Sequence, residues 1–415
     1  MRLLLLLPTV TYRTVAFVEA ARRLGVELTV ASERPSTFEH ANPAGLVTFD
    51  FTDPTGAAAQ AREFAHERPV HGVVGVDDDT AVIAAAVAAE LGLRGNSVAA
   101  ATAARDKHQQ RVLLGKAGVA VPRVERYPIA RDSEELARIV SYPCVLKPLR
   151  LSASRGVIRA DDAREFVAAF RRLKAMLEEP ELASCGEWAR RLLVEEFIPG
   201  REVAVEGLLT EGRLRVLAIF DKPDPLDGPF FEETIYVTPS RLAPAAQLEI
   251  TACAQATVTA LGLRHGPIHA EIRYNDAGAW LIELAARPIG GRCSGALRFG
   301  TGDSGLGVGA SLEELVIRHA LGMELPTLER EPQASGVMMI PVPRGGVLQH
   351  VRGVEEARAV PLVDAVEITA HPGQTLVPWP EGARYPGFIF ARGDTPERVE
   401  AALRAAHGRL EFVIG

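Results

Sequence analysis

The segment His269–Gly291, HAEIRYNDAGAWLIELAARPIGG, carries the pattern that decides how the centre of this chain folds. It predicts two short strands joined by a turn at Asn275–Gly278, where Asn, Asp and Gly cluster. Each strand has one acid among apolar neighbours, Glu271 and Glu283. Carboxylates in such surroundings are costly to ionise without a nearby cation. Mg²⁺ is the natural candidate, because one or two carboxylates bind it while nucleotide phosphates complete its shell.

Arg287 follows Glu283 by four residues and adds a fixed positive charge to the same segment. A guanidinium suits phosphate oxygens, so the segment is predicted to bind a phosphorylated ligand. The alternative is an ordinary hairpin whose glutamates face solvent or pair with arginines. Spacing alone does not decide between the two.

Composition sets limits on the protein class. A chain of 415 residues has room for two to four domains, and 47% hydrophobic with 24% charged residues is normal for a soluble protein. The net charge of −7 argues against nucleic-acid binding. Four cysteines without CxxC spacing indicate reduced thiols in a cytoplasmic protein. The leucine run at Leu3–Leu7 predicts a buried first strand rather than a signal peptide, and no apolar segment is long enough to cross a membrane.

The first hundred residues alternate between strand and helix patterns. The predicted strands are Leu3–Leu7, Val26–Ala31 and His71–Val76, and the predicted helices are Thr14–Leu24 and Thr80–Leu91. Such alternation predicts a parallel sheet with helices on both faces. The acidic run Asp77–Asp79 follows a strand at the edge where such folds bind ligands. Acids that suit a helix N-terminus are the favoured interpretation, with metal binding as the alternative.

Two lysines stand out on local grounds. Lys107 lies in the first turn of a helix predicted over Asp106–Ala117, where a cation opposes the helix dipole, so it either serves a phosphate or is merely solvated. Lys147 lies in a predicted strand, Val145–Pro148, and a buried lysine needs an anionic partner.

The segment Leu149–Val157 is small, hydroxylated and basic, and it lies between two predicted strands. Such a loop can close N–H groups, hydroxyls and a guanidinium over phosphates. It lacks the GxxxxGK[ST] pattern of a P-loop, and a plain hairpin loop is the alternative. Further on, Leu192–Ile198 predicts a strand, and Arg201–Leu209 alternates with Glu202 and Glu206 on one face.

Five segments occur in this chain in the order found in the ATP-grasp superfamily. They are ARDKHQQRVLLGKAGVAVPR (104–123), VLKP (145–148), VEEFIPGREVAVEGL (194–208), HAEIRY (269–274) and LIELAARPIGG (281–291). The chain resembles an ATP-grasp carboxylate–amine ligase, most closely the bacterial L-amino-acid ligase (dipeptide synthetase) branch. The resemblance implies an α/β fold with an N-terminal Rossmann-like parallel-sheet domain (1–103). An ATP-grasp domain, α+β in its ATP-binding part, follows at 104–330 with a small lid lobe at about 125–205. A small C-terminal α/β ligase-type module occupies 331–415.

The resemblance also implies roles for individual residues. The residues that match ATP-binding positions are Lys107, Lys147, Ser152, Ser154, Arg155, Gly156, Glu195, Glu196, Phe197, Ile198, Glu202 and Lys222. In this scheme the lysines contact phosphates, Ser152–Gly156 closes over them, Glu195–Ile198 reads adenine and Glu202 binds ribose. Glu271 and Glu283 match the Mg²⁺ ligands. Arg287 matches the arginine that steadies an acyl phosphate.

Two positions depart from the family pattern. Ala285 stands where many relatives have an asparagine as a third metal ligand, which leaves two carboxylates for the metal. His269 stands where several relatives have an arginine. A protonated histidine there could donate to a tetrahedral intermediate, or it could simply pack and fix the strand.

The function implied is that of an ADP-forming (EC 6.3-type) ligase with ATP and Mg²⁺, or Mn²⁺, as cofactors. Its partners would be a small-molecule carboxylate, such as an amino acid, and an amine, with no nucleic acid or membrane and a homodimer as the default state. Asp221–Pro239 is a second candidate lid beside Ser152–Gly156. The alternatives are a purine-pathway or biotin-carboxylase-like enzyme and a non-catalytic ATP-binding protein. The sequence leaves open the two substrates, the oligomeric state and the number of metal ions.

Overall fold

The computed structural model describes residues 1–300 and 309–415. The N-terminal unit contains a parallel sheet, as predicted, and its strand order is β3-β2-β1-β4. Its elements are β1 (Arg2–Leu6), α1 (Thr14–Arg23), β2 (Glu27–Ser32), β3 (Leu46–Thr48), α2 (Pro54–Glu67), β4 (Gly72–Gly75) and α3 (Asp78–Glu90). The leucines of β1 are fully buried, which explains their run in the sequence. The pair β3 and α2 has no counterpart in the sequence-based prediction.

Two helices, α4 (Val98–Arg105) and α5 (Lys107–Lys116), lead into a small lobe. Its antiparallel sheet has the order β5-β8-β6-β7. The lobe consists of β5 (Val124–Pro128), α6 (Ser133–Ala137), β6 (Cys144–Pro148), β7 (Ile158–Ala160), α7 (Ala163–Leu177), α8 (Pro180–Ala183) and β8 (Arg191–Glu196). Asp106 caps α5 by accepting the backbone N–H groups of His108 and Gln109, so Lys107 begins the helix as predicted.

The largest sheet has eight antiparallel strands in the order β13-β12-β9-β10-β11-β14-β18-β16. The elements before the C-terminal module are β9 (Arg201–Thr210), β10 (Arg213–Asp221), β11 (Ile235–Thr238), α9 (Pro244–Leu261), β12 (Gly266–Asn275), β13 (Gly278–Ala285) and α10 (Leu312–Ala320). Ser311 and Glu314 form a capping box at the start of α10.

The C-terminal module contributes three strands to this same sheet and a second, three-stranded sheet in the order β17-β15-β19. Its elements are β14 (Ala334–Met339), β15 (Gly346–Arg352), α11 (Val354–Arg358), β16 (Val363–Ile368), β17 (Thr375–Leu376), β18 (Gly387–Gly393), α12 (Pro396–His407) and β19 (Glu411–Ile414). Because β14 pairs with β11, the sheet continues across the domain boundary predicted near residue 331.

One hydrophobic core joins the N-terminal unit to the module. Leu5 and Phe17 from the first unit pack in the same buried cluster as Phe220, Val337 and Phe388. Among the described residues, no helix is both long and apolar enough to cross a lipid bilayer. All four cysteines are free thiols.

Candidate active site

A cavity of about 870 Å³ lies between the small lobe and the eight-stranded sheet. This volume includes space that is open to solvent. The residues proposed from the sequence that line it are Lys107, Lys147, Ser152, Ser154, Glu195, Phe197, Ile198, Glu202, His269, Glu271, Glu283 and Arg287. The structure therefore brings together side chains from positions 107 to 287 in one place.

The floor of this cavity is the predicted hairpin. β12 and β13 pair in register, so that Glu271 lies directly opposite Glu283, with a bulge beside them. The turn forms as predicted, with Asn275 Oδ1 accepting the N–H of Ala277 at 2.9 Å. The hairpin places two carboxylates side by side, as the sequence predicted.

Each of these carboxylates has a lysine partner rather than an arginine. Glu283 Oε1 lies 2.8 Å from the Nζ of Lys107, and Glu271 Oε1 lies 3.6 Å from the Nζ of Lys222. Both glutamates keep partial exposure to the cavity, 22% for the side chain of Glu271 and 30% for that of Glu283. Lys107 itself is buried, so its interpretation as a merely solvated lysine is wrong.

Lys222 is enclosed by acids. Its Nζ lies 2.8 Å from Glu202 and also contacts Glu233. Oxygens of Glu202, Glu233 and Glu271 lie within 4.8 Å of one another, and the ammonium group neutralises this cluster. Burial alone lowers the pKa of Lys222, but these carboxylates outweigh it and raise that pKa. The expected contact of Lys222 with phosphate needs correction, because Lys222, unlike Lys107 and Lys147, is not among the residues that line the cavity.

Lys147 has the anionic partner that burial demands. Its Nζ lies 2.5 Å from Glu195 Oε2, and Arg111 Nε lies 3.0 Å from Glu195 Oε1. Burial raises the pKa of Glu195, but the two cations outweigh this effect and the pKa is lowered. The carboxylate thus stays ionised and fixes Lys147, which reaches the cavity wall.

Arg287 is held by the N-terminal unit. Its Nε and Nη2 donate to Oδ1 and Oδ2 of Asp78 at 3.1 and 3.0 Å, respectively. Asp78 is the first residue of α3, and Asp77 caps that helix. The acidic run therefore fits the helix N-terminus as favoured, but its second member also sets the position of a cavity arginine. Metal binding by this run has no support in these contacts.

His269 lies between two acids. Its Nδ1 lies 2.9 Å from Glu206 Oε1, and its Nε2 lies 3.7 Å from Glu271 Oε1. Burial lowers the pKa of His269, but the hydrogen bonds to these glutamates outweigh it and raise the pKa to about 8. The imidazole is therefore largely protonated at neutral pH and links Glu271 to the buried Glu206.

The loop between β6 and β7 presents Ser152 and Ser154 to the cavity. Ala153 and Ser154 both adopt left-handed backbone angles, with φ of 56° and 54°. This turn directs Arg155 and Gly156 away from the cavity, so their predicted contact with phosphate needs correction. Both residues instead contact the segment Trp379–Glu381 of the C-terminal module.

This segment, which we call the strap, holds the loop by three hydrogen bonds. The indole N–H of Trp379 donates to Ala153 O at 2.8 Å, Gly156 N–H donates to Pro380 O at 2.8 Å, and Arg155 Nε donates to Glu381 O at 3.1 Å. The carboxylate of Glu381 also binds Arg172 of α7 at two points, 2.6 and 2.8 Å. The module thus fastens the loop to the small lobe.

The strand predicted to read adenine contributes Phe197 and Ile198 to the cavity wall. The guanidinium groups of Arg159 and Arg273 lie 4.0 and 5.0 Å from the centre of the Phe197 ring. The side chain of Glu196 points the other way and pairs with Arg123 at 3.0 Å, because successive residues of a strand face opposite sides. Its side chain is therefore excluded from the site.

Glu202, the predicted ribose acid, lines the cavity with its carboxylate engaged by two cations. Arg273 Nε donates to it at 2.9 Å, in addition to Lys222. Of the second candidate lid, Asp221–Pro239, only Leu226 and Phe231 reach the cavity wall. The last four residues before Pro239 form β11 inside the sheet.

Sequence reasoning missed three residues that position this site, namely Arg111, Arg273 and Trp379, and it named Asp78 and Glu206 without the contacts that they make here. Arg111 follows Lys107 by one helical turn and shares its face, which is a usable signal. Arg273 follows Glu271 by two residues on one strand and therefore shares its face, which is a second usable signal. Trp379 lies more than 200 residues from the loop that it contacts, and no local pattern indicates it.

Family models match most of the chain. An ATP-grasp domain matches residues 140–296, an ATP-grasp N-terminal domain matches 18–95, and L-amino acid ligase C-terminal domain 2 matches 338–415. The chain is an ATP-grasp protein. The resemblance inferred from its motifs is confirmed.

Individual relatives of this ATP-grasp protein are more distant. Alanine–anticapsin ligase of Bacillus subtilis is 30% identical over 213 residues, which cover 48% of this chain and 44% of that protein. The chain thus matches less than half the length of that relative. A solved L-amino acid ligase from Bacillus licheniformis superposes over 100% of this chain and 98% of its own, with a TM-score of 0.81 and 27% identity.

A carboxyaminoimidazole ribonucleotide synthase from Aspergillus clavatus, solved with ATP, superposes over 98% of both chains with a TM-score of 0.71. Its 19% identity supports a shared fold alone. The ATP-grasp fold is therefore established for this chain on two grounds, its motifs and its architecture.

Proposed function

We propose that this protein is an ATP-dependent ligase that activates a carboxylate as an acyl phosphate and joins it to an amine. An amino acid is the preferred carboxylate substrate, and ADP and phosphate are the other products. The observation that carries this proposal is the register pair Glu271–Glu283 on the floor of the cavity, with Lys107, Lys147 and Arg287 on its walls. The full-length likeness to an L-amino acid ligase supports it.

The donor set fits Mg²⁺. Glu271 and Glu283 are two partly exposed carboxylates, which is the usual protein contribution to a Mg²⁺ ion that also binds phosphate. When bound, Mg²⁺ supplies positive charge that offsets the negative charge of the transferring phosphoryl group. Lys107 holds Glu283, and Lys222 with His269 holds Glu271, so the two carboxylates keep their positions.

The fixed cations would act on the phosphates by position. In the proposed reaction a carboxylate oxygen attacks the γ-phosphorus of ATP and ADP leaves, which converts a poor leaving group into a good one. Lys107 and Lys147 lie on the cavity wall to bind phosphate oxygens, and Arg287 is oriented by Asp78 toward the acyl phosphate. Preorganised charges of this kind supply much of the rate of such transfers.

The second step is attack of the amine on the carbonyl carbon. The nitrogen forms the amide bond and loses a proton, while the carbon–oxygen bond to phosphate breaks. Because water competes with the amine, the loop carrying Ser152 and Ser154 is proposed to cover the site. For His269 the contacts favour a positioning role, since Glu206 holds its ring beside Glu271.

The experiment that tests this function measures ADP release against a panel of amino acids, added singly and in pairs. The proposal expects ADP formation that depends on a carboxylate, and amide product only when an amine is present. Bicarbonate-dependent turnover would favour a carboxylase, and ATP binding without turnover would favour a non-catalytic protein. The substrates, Mn²⁺ as a substitute metal, a homodimer and the cytoplasm as compartment remain parts of this proposal.

A further inference from the structure

A second cavity, of about 600 Å³, lies between the N-terminal unit and the ATP-grasp domain. We call it the interdomain cavity. Ala286 lines it, whereas Ala285 and Arg287 line the first cavity, so the end of the hairpin separates the two. Helix α3 also contributes to its wall through one face, while the first turn of that helix carries Asp78.

Most of its wall is aliphatic and small. The side chains that form this surface are Val73, Ala81, Ala84, Ala85, Ala88 and Val316. These side chains leave space for a compact apolar group and offer it no hydrogen bonds. A purely inorganic ion would leave this surface uncovered, whereas a branched or linear aliphatic chain would cover it.

The polar part of the wall is basic. It consists of Arg94, His265 and His319, together with Asn96, whose side-chain amide is already bonded to the backbone of Arg264 and His265. The centres of the two imidazole rings are 6.5 Å apart. The Nδ1 of His265 is buried without a hydrogen-bond partner among the described residues. In the part of the chain that the structure describes, the guanidinium of Arg94 has no ion pair and no hydrogen bond. Arg94 is exposed at the mouth of the cavity, and His319 Nε2 lies 3.0 Å from Thr210 Oγ1, so His265 Nδ1 is the group of these three that lacks the pairing usual for buried polar atoms, and it points to a ligand.

The charge balance indicates the sign of that ligand. Burial lowers the pKa of both His265 and His319. Glu211 opposes this effect at His265, whereas the positive charges of Arg264 and Arg94 add to it, and Arg94 also lowers the pKa of His319. The nearest acid, Glu211, lies 3.6 Å from His265 Nε2, and its side chain is mostly exposed to solvent. With both imidazoles neutral, the guanidinium of Arg94 is the positive charge among these three groups, and a carboxylate beside the aliphatic wall would match it.

We propose that the interdomain cavity binds a small aliphatic carboxylate, separate from the substrates of the first cavity. Arg94 takes the carboxylate, His265 donates to it through Nδ1, and the alanine and valine side chains cover the aliphatic body. The site is distinct from the proposed ATP site and does not depend on the ligase activity.

The test is a titration of the protein, labelled with ¹³C at histidine Cε1, with 3-methylbutanoate. The variants His265→Phe and His319→Phe assign the two histidine signals. In the wild type we expect both signals to shift until they saturate as 3-methylbutanoate is added, and we expect the pKa of His265 to rise. The neutral isostere 3-methylbutanamide leaves them unchanged. Arg94→Met weakens binding at least about tenfold, because it removes a charge-assisted contact. Arg22→Met, on the exposed face of α1, binds normally.

Two further variants distinguish binding in the interdomain cavity from binding elsewhere on the protein. Ala84→Leu fills the aliphatic wall while keeping all three basic groups, and it abolishes binding of 3-methylbutanoate. Glu283→Gln, which alters the proposed ATP site, leaves this binding intact. The proposal is overturned if the signals do not saturate, if inorganic phosphate binds as tightly and Ala84→Leu has no effect, or if only the His269 signal moves.

Discussion

Arg287 and Asp78 form a two-point ion pair across 209 residues of sequence, at 3.1 and 3.0 Å. The arginine ends the hairpin of the ATP-grasp domain, and the aspartate begins a helix of the N-terminal unit. The orientation of the Arg287 guanidinium in the cavity is therefore set by a residue of the N-terminal unit. This relationship makes the N-terminal unit part of the proposed active site and leads to the first prediction.

Replacing Asp78 by Asn should lower kcat about tenfold to a hundredfold, since hydrogen bonds to a charged group are worth roughly 1.5–3 kcal/mol. The KM for ATP should change little, because the arginine is proposed to act on the acyl phosphate. Steady-state ADP release gives both constants. The matched control is Asp79→Asn, whose partner Arg105 lies outside the cavity. Equal losses in the two variants would contradict the role given to Asp78.

Lys147→Met keeps the aliphatic stem and removes the charge. Nucleotide affinity should fall about tenfold to a hundredfold for a lost charge-assisted contact. Arg111 still pairs with Glu195 in this variant, so the fold should survive with reduced stability. Calorimetric titration with a non-hydrolysable ATP analogue measures the affinity, with Lys116→Met at the exposed end of α5 as control. Unchanged affinity would make Lys147 a structural residue only.

Glu283→Gln removes a charge and almost no volume. ADP formation should be lost, and Mg²⁺-dependent nucleotide binding should weaken more than binding without metal. Lys107 also loses its anionic partner, so metal-free nucleotide binding should be retained or improved. Binding measured with and without Mg²⁺ separates these effects. Near-normal turnover of this variant at ordinary Mg²⁺ concentration would show that Glu283 is not a ligand of the proposed metal.

Trp379→Phe removes one hydrogen bond from the strap and keeps an aromatic ring beside Tyr385, whose ring centre lies 4.7 Å from that of Trp379. A neutral hydrogen bond is worth about 0.5–1.5 kcal/mol, so the KM for ATP should rise roughly twofold to tenfold. The ratio of ADP to amide should also rise, because a looser loop admits water. Trp188→Phe, outside the strap, is the control. A ratio unchanged from the wild type would show that the strap does not govern closure.

The hairpin illustrates what local sequence can predict. Turn residues at 275–278 and one acid per strand were enough to predict that Glu271 and Glu283 meet, because strand pairing follows from the turn. The buried state of Lys147 and its need for an anion were likewise predictable, since burial of a charge has a fixed consequence. The family resemblance supplied the order of domains.

Other features depend on how distant segments pack. The family resemblance places Lys222 at a phosphate, yet Glu202, Glu233 and Glu271 come from three separate strands or loops to surround it. The partner of Arg287 lies on a helix whose dipole alone accounts for acids in its first turn. No periodicity indicates such pairings, because they arise only when the sheets are stacked.

The most direct test of the proposed reaction traces the carboxyl oxygen of the acid substrate into the products. Turnover with an acid substrate labelled with ¹⁸O in its carboxyl group should place one labelled oxygen in the released phosphate, since that oxygen bridges carbon and phosphorus in the acyl phosphate. Mass spectrometry of the phosphate and nucleotide products gives the answer. We predict labelled phosphate together with unlabelled ADP. Label in AMP would replace this mechanism with an adenylating one, and unlabelled phosphate would contradict the ligase proposal and indicate simple hydrolysis of ATP.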